Sequence, residues 1–162
     1  MNRMKIKIVC VGKIKENFYK EAIAEYSKRL SKFSSFSVIE VLDEKTDEKA
    51  SQKENDLVLS KEGKRILEQI GNDDYVISLC IEGKQFSSVE LSQKLSEIML
   101  NGYSSIAFII GGSLGLSEEV KERSDIKLSF SKMTFPHQLM RVILSEQIYR
   151  AFKIINNEPY HK

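Results

Sequence analysis

The amino-acid sequence predicts an α/β fold in which helices cover both faces of a mainly parallel sheet. Short apolar segments, typical of buried strands, alternate along the chain with longer segments of helical periodicity. Two of the apolar segments, YVISLCI and SIAFII, lack the alternation of a half-exposed strand, so both faces of these strands are expected to be covered. The 162 residues are enough for one continuous core and contain no linker or internal repeat. We therefore expect a single domain over residues 1–162.

The first half of the chain is predicted to supply two strands and two helices. The strands are KIKIVCVG at residues 5–12 and FSVIEVL at residues 36–42. Between them, apolar residues recur at spacings of three and four, which predicts an amphipathic helix whose core-facing stripe is Phe18, Ala22, Ile23, Tyr26, Leu30 and Phe33. The charged residues 43–56 are expected to form an exposed, mobile loop, and a second helix is expected over residues 56–70.

The second half is predicted to alternate three strands with three helices. The strands are placed at residues 75–81, 105–110 and 126–130, and the helices at residues 87–100, 118–123 and 136–155. Ser87 and Glu90 have the spacing of a capping box, which marks the start of the first of these helices. Pro136 suits the first position of the last helix, because its missing N–H would be unpaired there in any case.

The last helix is too apolar to have one face in water. Apolar side chains cover more than one of its faces, namely Leu139, Met140, Val142, Ile143, Leu144, Ile148, Ala151, Phe152, Ile154 and Ile155. A helix of this kind must be buried on two sides, and in a chain this short a second copy of the chain is the expected cover. We therefore predict a homodimer.

Composition excludes several classes of protein. The net charge of +2 is no signature of nucleic-acid binding, so any basic surface must come from local clusters such as Lys13 with Lys15. No stretch approaches the roughly 20 apolar residues of a membrane span, and the N-terminus lacks a signal-peptide cleavage site. Cys10 and Cys80 lie in apolar segments without metal-ligand spacing. We expect reduced, buried thiols, no metal site, no membrane partner and a cytoplasmic location.

Two segments combine residues that can bind a ligand. Gly111, Gly112 and Gly115 follow a buried strand in GGSLG, where glycine lets a ligand approach the backbone N–H groups. The spacing fits neither the dinucleotide fingerprint nor the P-loop, and a plain tight turn would also explain the motif. The second segment, LSFSKM at residues 128–133, leads through TFPH into the last helix. It can wrap a ligand, or its Phe and Met can merely seal the core.

The last helix and the terminus offer further candidates for chemistry. His137 lies in the first helical turn, where the helix dipole disfavours the imidazolium, and is equally well a structural histidine. Arg141, alone in an apolar segment, needs an anionic partner such as a carboxylate or phosphate. The terminal NNEPYHK places Tyr160 and His161 together after a proline. A frayed tail is the ordinary explanation, although stacking and proton transfer are what a base-modifying site needs.

Taken together, VISLCIEGK, FIIGGSLGLS, LSFSKMTFPHQLMRVILSEQIYRAFKI and the terminal PYHK resemble the SPOUT superfamily. Within it they are similar to the RlmH family of large-subunit ribosomal RNA pseudouridine N3-methyltransferases. The likeness extends over essentially the whole chain and is most specific over residues 109–162. It implies a trefoil knot over about residues 75–162, which patterning does not predict because knots are nearly absent from proteins. It also implies a homodimer whose RNA site is completed by the partner subunit and by the C-terminal tail.

The resemblance further implies S-adenosylmethionine as the cofactor, held by three knot loops. The matching residues are Leu79, Gly111, Gly112, Leu128, Ser129, Phe130, Ser131, Lys132 and Met133. The implied substrate is a pseudouridine of 23S, large-subunit ribosomal RNA, methylated at N3 in the assembled ribosome. His137, Arg141 and Lys132 are expected to contact this RNA.

The chemistry gives the remaining residues their expected roles. The N3 atom of pseudouridine carries an imide proton, which must leave before the nitrogen attacks the sulfonium methyl group. We expect His161 to accept the proton, Tyr160 to stack on or orient the base, and Arg141 with Lys132 to hold phosphate or stabilise the deprotonated base. No metal is required, because no water is activated. The alternatives are a non-catalytic ribosome-binding module and a nucleotide-binding α/β enzyme, and the glycine spacing argues against the latter.

Overall fold

The computed structural model describes residues 3–162, which form one parallel sheet and five helices. In chain order the elements are β1 (Lys5–Val11), α1 (Asn17–Leu30), β2 (Ser35–Val41), α2 (Gln52–Glu68), β3 (Tyr75–Gln85), α3 (Ser88–Leu100), β4 (Ser105–Ile110), α4 (Glu118–Arg123), β5 (Ile126–Ser129) and α5 (His137–Ile155). The strands are ordered β2-β1-β4-β3-β5, and every neighbouring pair is parallel. The predicted class, a mainly parallel α/β sheet, is confirmed.

Helices cover both faces of this sheet, as predicted. Successive side chains of a strand point to opposite faces, so Ile6 and Ile8 of β1 pack with α1, α3 and α5. Val9 and Val11 of the same strand pack instead with α2 and α4. This double burial explains the continuous apolar sequence of the central strands. Because all five strands are parallel, the loops that follow β1, β3, β4 and β5 lie along the same edge of the sheet.

The loop after β2 is shorter than predicted, because helix α2 begins inside the charged segment. Helix α2 begins at Gln52 because the Ser51 side chain accepts a hydrogen bond from the Glu54 N–H and caps the helix. The first part of the segment is held against this helix, since Arg65 contacts the Glu44 carboxylate at 2.5 Å. The prediction of a loop over residues 43–56 is therefore wrong for its C-terminal part. A run of charges does not by itself show where a serine cap starts a helix.

One residue of the predicted stripe on α1 faces the solvent. Phe18 lies in the first turn of α1 and is 63% exposed, so its prediction as a core residue is wrong. The other end of the stripe agrees with the prediction, because Leu30 is buried and Tyr26 and Phe33 pack against the same core. The Phe18 ring instead lies against Tyr19, with 4.4 Å between ring centroids.

Helix α5 is the most deeply embedded helix of its face. It contacts α1 on one side and α3 on the other, with Leu144 and Ile148 fully buried. The helix begins at His137, one residue later than predicted, so Pro136 occupies the N-cap position and not the first helical position. Val142 and Ile143 stay half-exposed, which leaves an apolar strip for the predicted second copy. The homodimer and the trefoil knot over residues 75–162 stay predictions.

Two expectations from composition can be compared with the structure. Cys10 and Cys80 are buried free thiols, as predicted. Burial raises the pKa of the Cys10 thiol to about 12, so it is protonated and unreactive at neutral pH. Within residues 3–162, no helix has both the length and the apolar character that a membrane crossing demands.

Candidate functional site

A cavity of about 400 Å³ opens where β3, β4 and β5 end. This volume lies in the range of small-molecule sites. Most residues predicted to bind a cofactor line it together, namely Leu79, Gly111, Gly112, Leu128, Ser129, Phe130, Ser131 and Met133. His137 lines it too. Lys132, between two lining residues, is exposed and does not line the cavity.

The glycine loop forms one wall because its backbone turns back on itself. The N–H of Gly115 donates to the carbonyl oxygen of Gly112 at 3.1 Å, and Gly115 has a φ of +87°, which L side chains rarely adopt. At Gly111 an added Cβ would collide with the backbone of Gly115. Glycine is therefore required at both ends of this turn, which presents backbone rather than side chains to the cavity.

The loop after β5 forms the opposite wall and is shaped by serine hydroxyls. The Ser129 hydroxyl donates to the carbonyl oxygen of Ser131 at 3.1 Å, and the Ser131 hydroxyl accepts from the N–H of Met133 at 3.0 Å. These bonds fold the loop tightly, so Phe130 and Met133 line the cavity as apolar surface. The wall suits a flat, partly apolar ligand such as a purine.

The sequence analysis missed an ion pair in the cavity wall. The Nζ atom of Lys121, on α4, lies 2.9 Å from the carboxylate of Glu82, which extends from β3. The pair lowers the pKa of Glu82 and raises the pKa of Lys121, so both groups stay charged at neutral pH. Glu82 directly follows the apolar segment YVISLCI, which is the signal that could have identified it, whereas no signal in the sequence points to Lys121 on α4. The cavity also contains Thr134 and Phe135, just beyond the predicted segment.

His137 lies at the start of α5 with its side chain half-buried in the cavity wall. Burial, and after it the neighbouring charge of Arg141, lowers the pKa of the imidazole. The ring is therefore neutral at pH 7 and can both donate and accept a hydrogen bond.

Arg141 does not occupy the position predicted for an RNA contact. Its side chain is fully buried, and its guanidinium contacts the Glu40 carboxylate at 2.8 Å. It also donates to the carbonyl oxygens of Val11 and Gly12, each at 2.8 Å. The expected anionic partner is thus a carboxylate of the same chain, and no part of Arg141 reaches the surface. We correct its role from substrate contact to positioning of the loop after β1.

The C-terminal tail lies away from the cavity of its own chain. The Tyr160 hydroxyl donates to Glu146 at 3.0 Å, and its ring packs edge-on against Tyr149. His161 Nδ1 lies 3.1 Å from Arg150 Nη1. Because a guanidinium can only donate, Nδ1 accepts this bond, and Nε2 is left as the ring nitrogen that can carry a proton. Neither tail residue lines the cavity.

A small-molecule cavity at the carboxyl edge of a parallel sheet, with a glycine loop and an ion pair in its walls, defines a ligand-binding α/β protein. Residues 4–161 match the family model of the predicted SPOUT methyltransferases. A ribosomal RNA large subunit methyltransferase H of Streptococcus uberis is 59% identical over 98% of this chain and 100% of its own length. Its namesake in Leuconostoc mesenteroides is 58% identical, with the same coverage. The chain belongs to the SPOUT methyltransferases, in the group that these relatives represent.

Solved structures agree with this family at the level of the fold. A probable methylase family protein of Haemophilus influenzae superposes with a TM-score of 0.54 at 15% identity, over 97% of this chain and 70% of its own. A putative Legionella pneumophila methyltransferase, solved with bound cofactor SAM, gives a TM-score of 0.50 at 13% identity, over 93% of this chain and 69% of its own.

Replacing Arg141 tests its positioning role. In Arg141→Met the Glu40 carboxylate and two backbone carbonyls lose their donor, so the free energy of unfolding should fall by about 3 kcal/mol. Denaturant unfolding measures this loss. Arg29→Met is the control, because Arg29 is exposed and lies 3.8 Å from its Glu25 partner, and it should change stability by less than about 0.5 kcal/mol. An Arg141 variant as stable as the control would contradict the assignment.

Proposed function

We propose that the protein uses S-adenosylmethionine to methylate N3 of a pseudouridine in 23S, large-subunit ribosomal RNA of the assembled ribosome. The observation that carries this proposal is the convergence of three separate segments on one cavity: the second half of β3 at residues 79–82, the loop after β4 and the loop after β5. Relatives at 59% and 58% identity bear the name of large-subunit ribosomal RNA methyltransferases, which supports the substrate class. A ribosomal substrate supports the predicted cytoplasmic location.

The residues of the cavity fit the chemistry of this cofactor. Phe130, Met133 and Leu128 offer apolar walls for the adenine ring, and the glycine loop leaves space that a Cβ at Gly111 would fill. The amino-acid end of S-adenosylmethionine carries one carboxylate and one ammonium group. Lys121 and Glu82 match this pair of opposite charges. When bound, the cofactor supplies an electrophilic methyl group on a sulfonium.

Tyr160 and His161 are proposed to serve the base that accepts the methyl group. Burial and then the hydrogen bond to Glu146 raise the pKa of Tyr160 to about 12, so its hydroxyl stays protonated. Its single proton is donated to Glu146, which leaves the aromatic ring to stack on the base. His161 must take the N3 proton on a free ring nitrogen. Its Nδ1 is occupied by Arg150 in this arrangement, so the Arg150 contact has to open when RNA binds.

The position of the tail supports action on the cavity of a partner subunit. Tyr160 contacts Glu146, which is nine residues beyond the His137 end of α5, or about 13 Å along the helix axis. Antiparallel pairing of two α5 helices through Val142 and Ile143 would bring the tail of each subunit to the other's cavity. We therefore propose a homodimer with two composite sites, each chain forming one domain with its knot over residues 75–162.

Cofactor binding can be tested by removing the Lys121 side chain from the protein and the amino-acid end from the ligand. Lys121→Ala should lower the affinity for S-adenosylmethionine about tenfold, the equivalent of roughly 1.4 kcal/mol. Its affinity for methylthioadenosine, which lacks the amino-acid end, should not change. Calorimetry measures both, and Lys127→Ala is the control because Lys127 is exposed and does not line the cavity. An equal loss for both ligands would place Lys121 at the adenosine end and contradict the assignment.

Methyl transfer to ribosomes tests the activity itself. With labelled S-adenosylmethionine, the protein should label large-subunit RNA in assembled ribosomes, and mass spectrometry should locate the methyl group at N3 of a pseudouridine. Gly111→Val should abolish labelling because its side chain collides with Gly115. Cofactor binding without any transfer to ribosomes would instead indicate a non-catalytic ribosome-binding module.

A mixed dimer tests whether the tail acts in the partner's cavity. Gly111→Val blocks the cavity and His161→Ala disables the tail, so either variant alone should be inactive. Co-expressed in equal amounts, they should regain about a quarter of the wild-type rate, because half of random dimers are mixed and each has one intact site. Labelled methyl transfer measures the recovery. A tail that serves its own cavity would give no recovery at all.

A further inference from the structure

An aromatic pair with one exposed ring lies on the first turn of α1, and the proposed chemistry does not use it. Phe18 is 63% exposed, with its ring against Tyr19. A large apolar side chain that the fold leaves in water, next to a second ring, is a feature of binding surfaces. Because the Tyr19 ring supports it from one side, the Phe18 ring is held in place and can accept a flat partner.

This pair lies on the same edge of the sheet as the cavity. Strands β1 and β4 are parallel, so the loop after β1 and the glycine loop after β4 lie on the same edge. Arg141 donates to the carbonyl oxygen of Gly12 at 2.8 Å, and Glu40 accepts from the N–H of Ile14 at 2.9 Å. Through Arg141 the loop that precedes Phe18 is bonded to α5, the helix whose first residue lines the cavity.

Lysines outnumber carboxylates around the ring, three to two over residues 13–21, where Glu16 and Glu21 are the acidic side chains. Lys13, Lys15 and Lys20 are exposed and lie within five residues of Phe18 in the loop and the first turn. Over the chain from residue 3 onward, none of the three forms an ion pair. An exposed aromatic face with free cations is the chemistry that binds unpaired nucleotides, because every base has a face to stack and every phosphate is an anion.

We infer that Phe18 stacks on an unpaired base of the RNA while Lys13 and Lys15 contact its flanking phosphates. The inference rests on the proposed function, since it assigns a second contact to the same substrate at the edge that holds the cavity. A second copy of this chain is the weaker occupant, because a symmetric contact through this surface would bring free lysines against each other. Single-stranded or looped RNA is the form with splayed bases available for stacking.

The sequence offers a direct spectroscopic test, because it contains no tryptophan. Phe18→Trp puts a single indole at the proposed stacking position, and Leu57→Trp puts one at a position of similar exposure, 56%, on the opposite face of the sheet. Protein-free large-subunit ribosomal RNA should quench the emission of Trp at position 18 by more than half and that at position 57 far less. Equal quenching at both positions would overturn the inference. So would a change at position 18 that follows protein concentration without RNA, which would indicate contact between copies.

Kinetics separate this inference from the proposed function. Phe18→Ala should raise KM for ribosomes about tenfold and leave the affinity for S-adenosylmethionine unchanged, whereas Phe18→Trp should keep KM within about twofold of wild type. An unchanged KM in Phe18→Ala would overturn the stacking contact while the methyltransferase activity stood. If the wild-type protein transferred no methyl group, the proposed function would fail, and quenching at position 18 would still decide the RNA contact.

Discussion

The contact on which the site depends is the buried guanidinium of Arg141. It joins the start of α5 to the carboxyl end of β1 by bonding two backbone carbonyls and the Glu40 carboxylate. These carbonyls lie at the point where the chain leaves the sheet, and a cation with several donors can bond both of them at once. One side chain thereby fixes both the helix that begins at the cavity and the loop that leads to Phe18. The burial of the Arg141 charge is tolerated because the charge is paired with the Glu40 carboxylate.

The parallel arrangement of the strands brings several segments together at one edge of the sheet, where they form the cavity. The second half of β3 and the loops after β4 and β5 lie at the same edge of the sheet, and each contributes a different property to the cavity. The loop after β4 contributes close backbone approach at Gly111, and the loop after β5 contributes an apolar wall. Glu82 and Lys121 add charge from the end of β3 and from α4. Which ligand the cavity binds therefore depends on several segments together, and no single sequence motif contains all of them.

The sequence predicted the features that depend on neighbouring residues. Strand and helix alternation gave the fold class, and the Ser87 and Glu90 capping box was found as expected at the start of α3. The sequence could not predict which side chains are buried or which residues far apart in the chain contact each other. Periodicity placed Phe18 in the core because its spacing fits the stripe, yet the sequence does not show where the first turn of α1 lies relative to the sheet. Likewise Arg141 was known to need an anion, but Glu40, 101 residues away, could not be named.

The C-terminal tail is held along α5 by a set of ion pairs and hydrogen bonds. Glu146 binds both Arg150 and the Tyr160 hydroxyl, and Arg150 in turn occupies Nδ1 of His161. These contacts order the tail along α5. They also make His161 a poorer base, because its Nδ1 accepts from Arg150 and only Nε2 can carry the ring proton. RNA phosphates can compete for Arg150, and their arrival would free Nδ1 while Glu146 keeps Tyr160 in place. Under the proposed homodimer, such an exchange would make His161 a base only when substrate is present.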